Sequence, residues 1–166
     1  MLRFDLTELL RTPGMRQVYD LHEAPYADDD VEYVSPLTGR VTVTNTGSMV
    51  LVRGPVDTVI ALECSRCLGP VRAPIHADLE EEFDLSIVED ALQRDGKAVE
   101  EEIGRVFEGA TLRLDVLIRQ AALLAAPLQP LCRVACPGIA IREDADPEGE
   151  APWNSPFHEL SKLLQE

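Results

Sequence analysis

Val41-Thr42-Val43-Thr44-Asn45-Thr46-Gly47-Ser48-Met49-Val50-Leu51-Val52-Arg53 is a β-hairpin written in sequence. Apolar and polar residues alternate over Val41 to Thr44, Asn45 to Ser48 supply turn chemistry, and Met49 to Arg53 returns as a strand. The same grammar continues outward. Gly54-Pro55 predicts another turn, and Val56 to Leu62 a strand that delivers Cys64 and Cys67 at its end. From Pro70 to Leu85, Val71, Ala73, Ile75, Ala77 and Leu79 alternate with Arg72, Pro74, His76 and Asp78, which predicts a long strand with one buried and one wet face. Glu81 falls on the buried side of that alternation and suits a sheet rim, while Pro74 argues for an edge or a bulge. Upstream, Gln17 to His22 reads as a first strand and Ala24 to Ser35 as an acidic loop.

At Asp115 the period changes. Asp115 serves as an N-cap, and Leu117, Ala121, Leu124 and Ala125 recur at helical core spacing until Pro127 stops the helix. Asp5-Leu6-Thr7-Glu8 opens a short N-terminal helix in the manner of a capping box, closed by Thr12-Pro13-Gly14. Near the end, Ser155-Pro156 caps a helix carrying Phe157, Leu160, Leu163 and Leu164. The expected architecture is therefore α+β: a mainly antiparallel, strongly bent or barrel-like sheet with a covering helix and short terminal helices. As one domain over 1–166, it divides into a helix and turn at 1–14, a β-rich core at 16–108, a helix at 113–126 and a C-terminal helix at 153–165. An acidic excursion from Glu89 to Glu102 interrupts the core, and Ile103 to Phe107 returns as a strand.

With 166 residues and 45% apolar content, the chain can bury a proper core. Its longest apolar stretch, Val116 to Leu128, is broken by Arg119 and Gln120, and the N-terminus lacks a secretory apolar region. A cytoplasmic protein with reduced thiols is expected. The formal net charge is −15, which opposes non-specific attraction to a phosphate backbone. The balance reverses around the cysteines, where Arg53, Arg66, Arg72 and Arg133 gather in sequence. Either an acidic body takes a basic partner, or a small basic face touches RNA phosphates. Aromatic residues make up only 5%, too few for a base-stacking platform.

Four cysteines carry the chemistry, as Cys64-Ser65-Arg66-Cys67 and Cys132-Arg133-Val134-Ala135-Cys136, each beside proline and glycine. Two loops that each present two thiols can supply the four sulfur ligands of a closed structural Zn²⁺ site. The competing reading is a set of reduced thiols half-buried near strand ends. A thiol-redox pair at Cys64/Cys67 is a further alternative, although such pairs open a helix, and Leu68-Gly69-Pro70 starts another strand. Catalysis finds little support: His22, His76 and His158 are scattered, and neither a phosphate loop nor a nucleophile elbow is present.

Three segments together resemble the YceD family, the large ribosomal RNA subunit accumulation proteins. These are Leu6 to Gly14, Glu63 to Val71 with its cysteine-arginine-cysteine-leucine core, and Leu114 to Cys136 with helix, proline-bounded linker and second cysteine pair. The tail from Trp153 to Leu164 is similar to the family's usual ending. Many members add a further cysteine pair, whereas Pro137 to Asp144 contains none here. That departure leaves Cys64, Cys67, Cys132 and Cys136 as the candidate sulfur set. The resemblance implies a non-enzymatic role in ribosome biogenesis, supporting accumulation or processing of large-subunit ribosomal RNA. Its implied partner is that RNA precursor or a basic large-subunit ribosomal protein, without membrane or DNA.

Overall fold

A strand needs at least one partner for its backbone, and the computed structural model, which describes residues 2–28, 30–88 and 105–139, shows how the partners are arranged. The sheet is built on β5 (Leu37–Asn45), β6 (Met49–Glu63) and β7 (Pro70–Asp84). β7 pairs antiparallel with β6 over its whole length, from Met49 opposite Asp84 to Glu63 opposite Pro70. β5 takes the other edge of β6, and β2 (Arg16–Glu23) pairs outside β5. The register is unbulged, so Pro74 is accommodated because β7 is an edge strand among the described residues.

Gly54-Pro55 does not turn the chain. β6 runs straight through it, and the β5 pairing skips these two residues and resumes in the same register at Arg53. Proline has no N–H to donate to the ladder. Gly54 adopts φ +149°, and a Cβ there would lie 2.1 Å from the Arg40 carbonyl oxygen. A residue without a side chain lets two strands cross at close range where a turn was expected.

The segment expected as an acidic loop holds two short strands, β3 (Tyr26–Ala27) and β4 (Glu32–Tyr33), and β4 joins β6 at Ile60. Burial of Tyr33 and Val31, with Tyr26 stacked on Tyr33 at 4.5 Å between ring centres, ties this stretch to the core. Aromatic packing overrides the local acidity. Burial also pushes the Tyr33 phenol well above its usual range.

The sheet is antiparallel but open, not a barrel: β2 and β7 remain its two long edges. Four long strands are too few to close around a packed interior. A second, three-stranded sheet joins β1 (Arg3–Asp5) to β9 (Thr111–Arg113), with β8 (Phe107–Glu108) beside it. The strand expected over Ile103 to Phe107 is displaced: Arg105 and Val106 are helical, 103 and 104 lie outside the described residues, and β8 begins only at Phe107. Asp5 ends β1 and accepts hydrogen bonds from the Thr7 backbone N–H at 2.8 Å and its hydroxyl at 2.6 Å, but helix α1 (Thr7–Arg11) has Leu6 at its N-cap and no side-chain cap, so the expected capping box does not form. At the hairpin, buried Asn45 donates to the Leu9 and Leu10 carbonyls and accepts from Gly47, binding α1 to the turn.

Helix α2 (Leu114–Ala125) starts one residue ahead of the expected cap. Its leading N–H groups reach back to the Leu2 carbonyl, which serves where Asp115 was expected to. Its buried face consists of Leu114, Val116, Leu117, Ile118 and Ala122, whereas Leu124 is 88% exposed. The core stripe is thus rotated from the expected one, because a leucine- and alanine-rich helix offers several apolar faces and β7 selects among them. Ala73, Ile75, Ala77 and Leu79 on β7 are buried on the inner face, and Glu81 is exposed at the rim. The acidic excursion at 89–102 and the helix at 153–165 lie outside the described residues.

Candidate metal centre

β6 and β7 are joined at one end of the sheet by residues 64–69. The Cys64 N–H donates to the Gly69 carbonyl at 2.8 Å, extending the ladder, and the Leu68 N–H donates to the Cys64 carbonyl at 2.9 Å. Leu68 closes this turn in the left-handed region at φ 59°, which costs a branched side chain about 1 kcal/mol. The loop is consequently tight, and it directs two thiols to one side.

The second loop arrives from α2. Pro127 and Pro130 keep the chain extended, and the Ser65 N–H donates to the Pro130 carbonyl at 2.8 Å, clasping the two loops together. A turn then closes with the Cys136 N–H on the Arg133 carbonyl at 3.1 Å. Arg66 donates to the Cys136 carbonyl at 3.1 Å.

The two cysteine pairs meet. Cys64 Sγ lies 3.8 Å from Cys136 Sγ, Cys67 Sγ lies 3.7 Å from Cys132 Sγ, and all four sulfurs fall within 4.8 Å of one another. Four sulfurs at about 2.3 Å from a tetrahedral Zn²⁺ are separated by about 3.8 Å. The two separations of 3.7 and 3.8 Å match that edge, so the donor set fits such an ion in number, chemistry and size. Cys64 and Cys136 are buried, Cys67 is half-buried and Cys132 is exposed. All four are free thiols, and the contacts of 3.7 and 3.8 Å join one loop to the other.

Backbone N–H groups of Cys132, Arg66 and Cys67 converge on Cys64 and lower its thiol to about 6, against a desolvation that opposes ionisation. Cys132 is pushed up to about 12, chiefly because its proton is held by Cys136 and then by Cys67. Four thiolates in so small a volume repel one another. A divalent cation reverses that logic by favouring deprotonation of every ligand.

The arginines divide. Arg66 and Arg72 belong to the cysteine end, Arg72 donating to the Val34 carbonyl at 3.0 Å. Arg133 is exposed and forms no ion pair among the described residues. Arg53 stands elsewhere: it sits on β6 opposite Thr42 and Glu80 and pairs with Glu82 at 2.8 Å. Along an extended strand, at about 3.3 Å per residue, that is tens of ångström from Cys64. The expected basic cluster is therefore smaller than sequence proximity implied. Pro130 and Leu68 escaped the sequence reading as site-building residues. The proline-bounded linker was the visible signal for the first, and nothing marks a leucine for left-handed backbone.

A small, open α+β sheet that carries a closed four-sulfur cluster at one end defines the class of this protein. Residues 52–164 match the family described as "Large ribosomal RNA subunit accumulation protein YceD", and the chain belongs to that family. It is also similar to an uncharacterized protein of Mycobacterium tuberculosis, 32% identical over 142 residues, covering 81% of this chain and 65% of the relative. A second uncharacterized protein, from Mycobacterium leprae, is 28% identical over 141 residues, covering 82% of this chain and 63% of the relative. The chain thus spans less than two thirds of the length of these curated relatives. No solved structure matches it. Among the described residues, no helix is long and apolar enough to cross a membrane.

Proposed function

We propose that this protein supports accumulation of large-subunit ribosomal RNA by binding, without chemistry of its own, and that its four cysteines hold a structural Zn²⁺. The family match over residues 52–164 supports the ribosomal role. The observation that carries the metal is the cluster of Cys64, Cys67, Cys132 and Cys136 within 4.8 Å. Four protein ligands leave no open coordination position, and a catalytic zinc needs one for water or substrate. When bound, the ion neutralises thiolate charge and locks the β6–β7 loop to the linker after α2. Its contribution is to folding.

The charge of −15 favours a basic protein partner over duplex RNA. An RNA contact would fall at Arg66, Arg72 and Arg133, the arginines nearest the cysteines. Deletion of the gene tests the role: the ratio of large- to small-subunit ribosomal RNA is expected to fall, and an unchanged ratio would remove the proposal. Native mass spectrometry of the purified chain before and after a chelator tests the ion. One Zn²⁺ per chain lost to chelator is expected, and a metal-free mass throughout would overturn it. Binding assays at rising salt, with basic protein and RNA in parallel, separate the partners. The Arg66→Glu, Arg72→Glu double variant should lose binding only if RNA is the ligand.

A further inference from the structure

Among the described residues, the long edge of β7 is open. β7 pairs with β6 on one side and with no strand on the other among the described residues. Every second residue of an edge strand turns its N–H and C=O away from the sheet, so β7 presents a row of unpaired backbone groups. Beside that row lies a groove of about 520 Å³. One wall is β7 from His76 to Glu81, and the other is the last turn of α2 with Ala121, Leu124 and Ala125. A second depression of about 410 Å³ continues along Val71 to Pro74 and meets the first at Ala125. The two together flank the strand over most of its length.

The groove is not uniform. Pro74 removes an N–H from the half near the cysteines, which leaves the half from Ile75 to Glu82 as the better pairing template. That half is acidic. Asp78, Glu80 and Glu81 line the groove and form no ion pair among the described residues, while Glu82 is engaged by Arg53 and His76 by Asp57. Leu124, at 88% exposure, supplies apolar surface on the helical side. Among the described residues, strand backbone without a partner, an apolar wall and carboxylates without an ion pair meet at one edge, and together they describe a ligand: an extended segment with cationic side chains alternating with apolar ones.

We propose that the edge of β7 from Ile75 to Glu82, with the last turn of α2, takes an extended lysine- or arginine-rich peptide segment as an added strand. Main-chain hydrogen bonds to β7 supply affinity, and alternate side chains divide between Leu124 and the carboxylates of Asp78, Glu80 and Glu81. The idea deepens the basic-partner reading and rests on it, since it names where such a partner docks. A second copy of this chain is a poorer occupant, because two acidic edges would face each other.

The test uses the full chain and a labelled decapeptide of alternating lysine and valine, read by fluorescence anisotropy at fixed salt and by amide hydrogen exchange. A peptide of equal charge with prolines at every second valine cannot pair as a strand and serves as the control. A 1:1 complex is expected, with exchange slowed over residues 75–82 and the proline peptide bound at least tenfold more weakly. The Asp78→Lys, Glu80→Lys, Glu81→Lys triple variant should weaken binding by about tenfold or more, as three exposed ion pairs allow. If that variant loses its cooperative melt, Leu124→Lys replaces it, since an exposed site tolerates the change. Equal binding of the proline peptide, unchanged binding by the variants, protection elsewhere, or preferential binding of a single-stranded RNA of similar length would each overturn the proposal. No binding at all would also do so, and would mean that the acids serve only to keep the edge from self-pairing. In cells the two readings separate. If deletion lowers large-subunit ribosomal RNA but the triple variant restores it, the docking edge fails and the ribosomal role stands. If deletion changes nothing while the peptide binds as expected, the ribosomal role fails and the edge stands.

Discussion

Replacing Cys132 by serine separates a metal centre from a set of packed thiols, because Cys132 is exposed while Cys64 and Cys136 are buried. Without metal, an exposed cysteine contributes little packing, and the substitution should change stability by no more than about 0.5 kcal/mol. With Zn²⁺ bound, it removes one of four ligands that hold residues 64–69 to the linker after α2. A ligand present at a thousand times its dissociation constant stabilises the folded state by about 4 kcal/mol, and most of that is lost with the site. For a chain of this length, each kcal/mol moves the melting temperature by about 2–4 °C. The Cys132→Ser protein should therefore melt about 10 °C below wild type, and a chelator should bring wild type down to meet it. Circular dichroism melts with added zinc, with chelator and with neither provide the readout. Cys64→Ser should fall at least as far, since it also places a polar hydroxyl in a buried site. The reasoning is refuted if Cys132→Ser melts within about 1 °C of wild type and chelator leaves wild type unmoved.

Gly54→Ala should cost about 3 kcal/mol or more in urea unfolding, because its Cβ would press on the Arg40 carbonyl at 2.1 Å and φ +149° strains any side chain; a loss below about 1 kcal/mol would mean that the strands part easily. Ile118→Ala should cost about 2–5 kcal/mol, against no more than about 0.5 for Leu124→Ala. Equal costs would show that α2 packs by its other face. His76 Nδ1–H donates to the Asp57 carboxylate at 2.6 Å, and that carboxylate raises the imidazole above its usual value. A raised folded value means that the pair's small stabilisation is complete below about pH 6.5 and is lost as pH rises through the folded value. An NMR titration should find His76 above about 6.5 and Asp57→Asn should return it there; an unshifted histidine in wild type would contradict the contact.

Much of the sheet was legible because strand alternation is a local property. Arg40 to Arg53 reads as a hairpin and Pro70 to Leu85 as one long half-buried strand, and both pair as read. Pro74 pointed to an edge, and the edge is there. What failed locally failed for tertiary reasons. Gly54-Pro55 has the residues of a turn, yet becomes part of a strand because Arg40 lies across from it. Leu124 has core spacing, yet stays exposed because β7 packs against the neighbouring stripe of α2.

By itself, then, the sequence determined the α+β class, the hairpin from Val41 to Arg53, the long half-buried strand after Cys67, and the presence of two thiol-bearing turns beside prolines and glycines. These follow from the side-chain period and turn chemistry of contiguous residues. Only tertiary structure decided that Cys64 meets Cys136 and Cys67 meets Cys132, that Arg53 stands far from both pairs, and that β7 leaves an acidic edge beside α2. Such relations depend on how the β6–β7 turn and the linker after α2 close on each other across a long stretch of chain. Loop closure is settled by burial and backbone pairing elsewhere in the fold, and no local pattern encodes it.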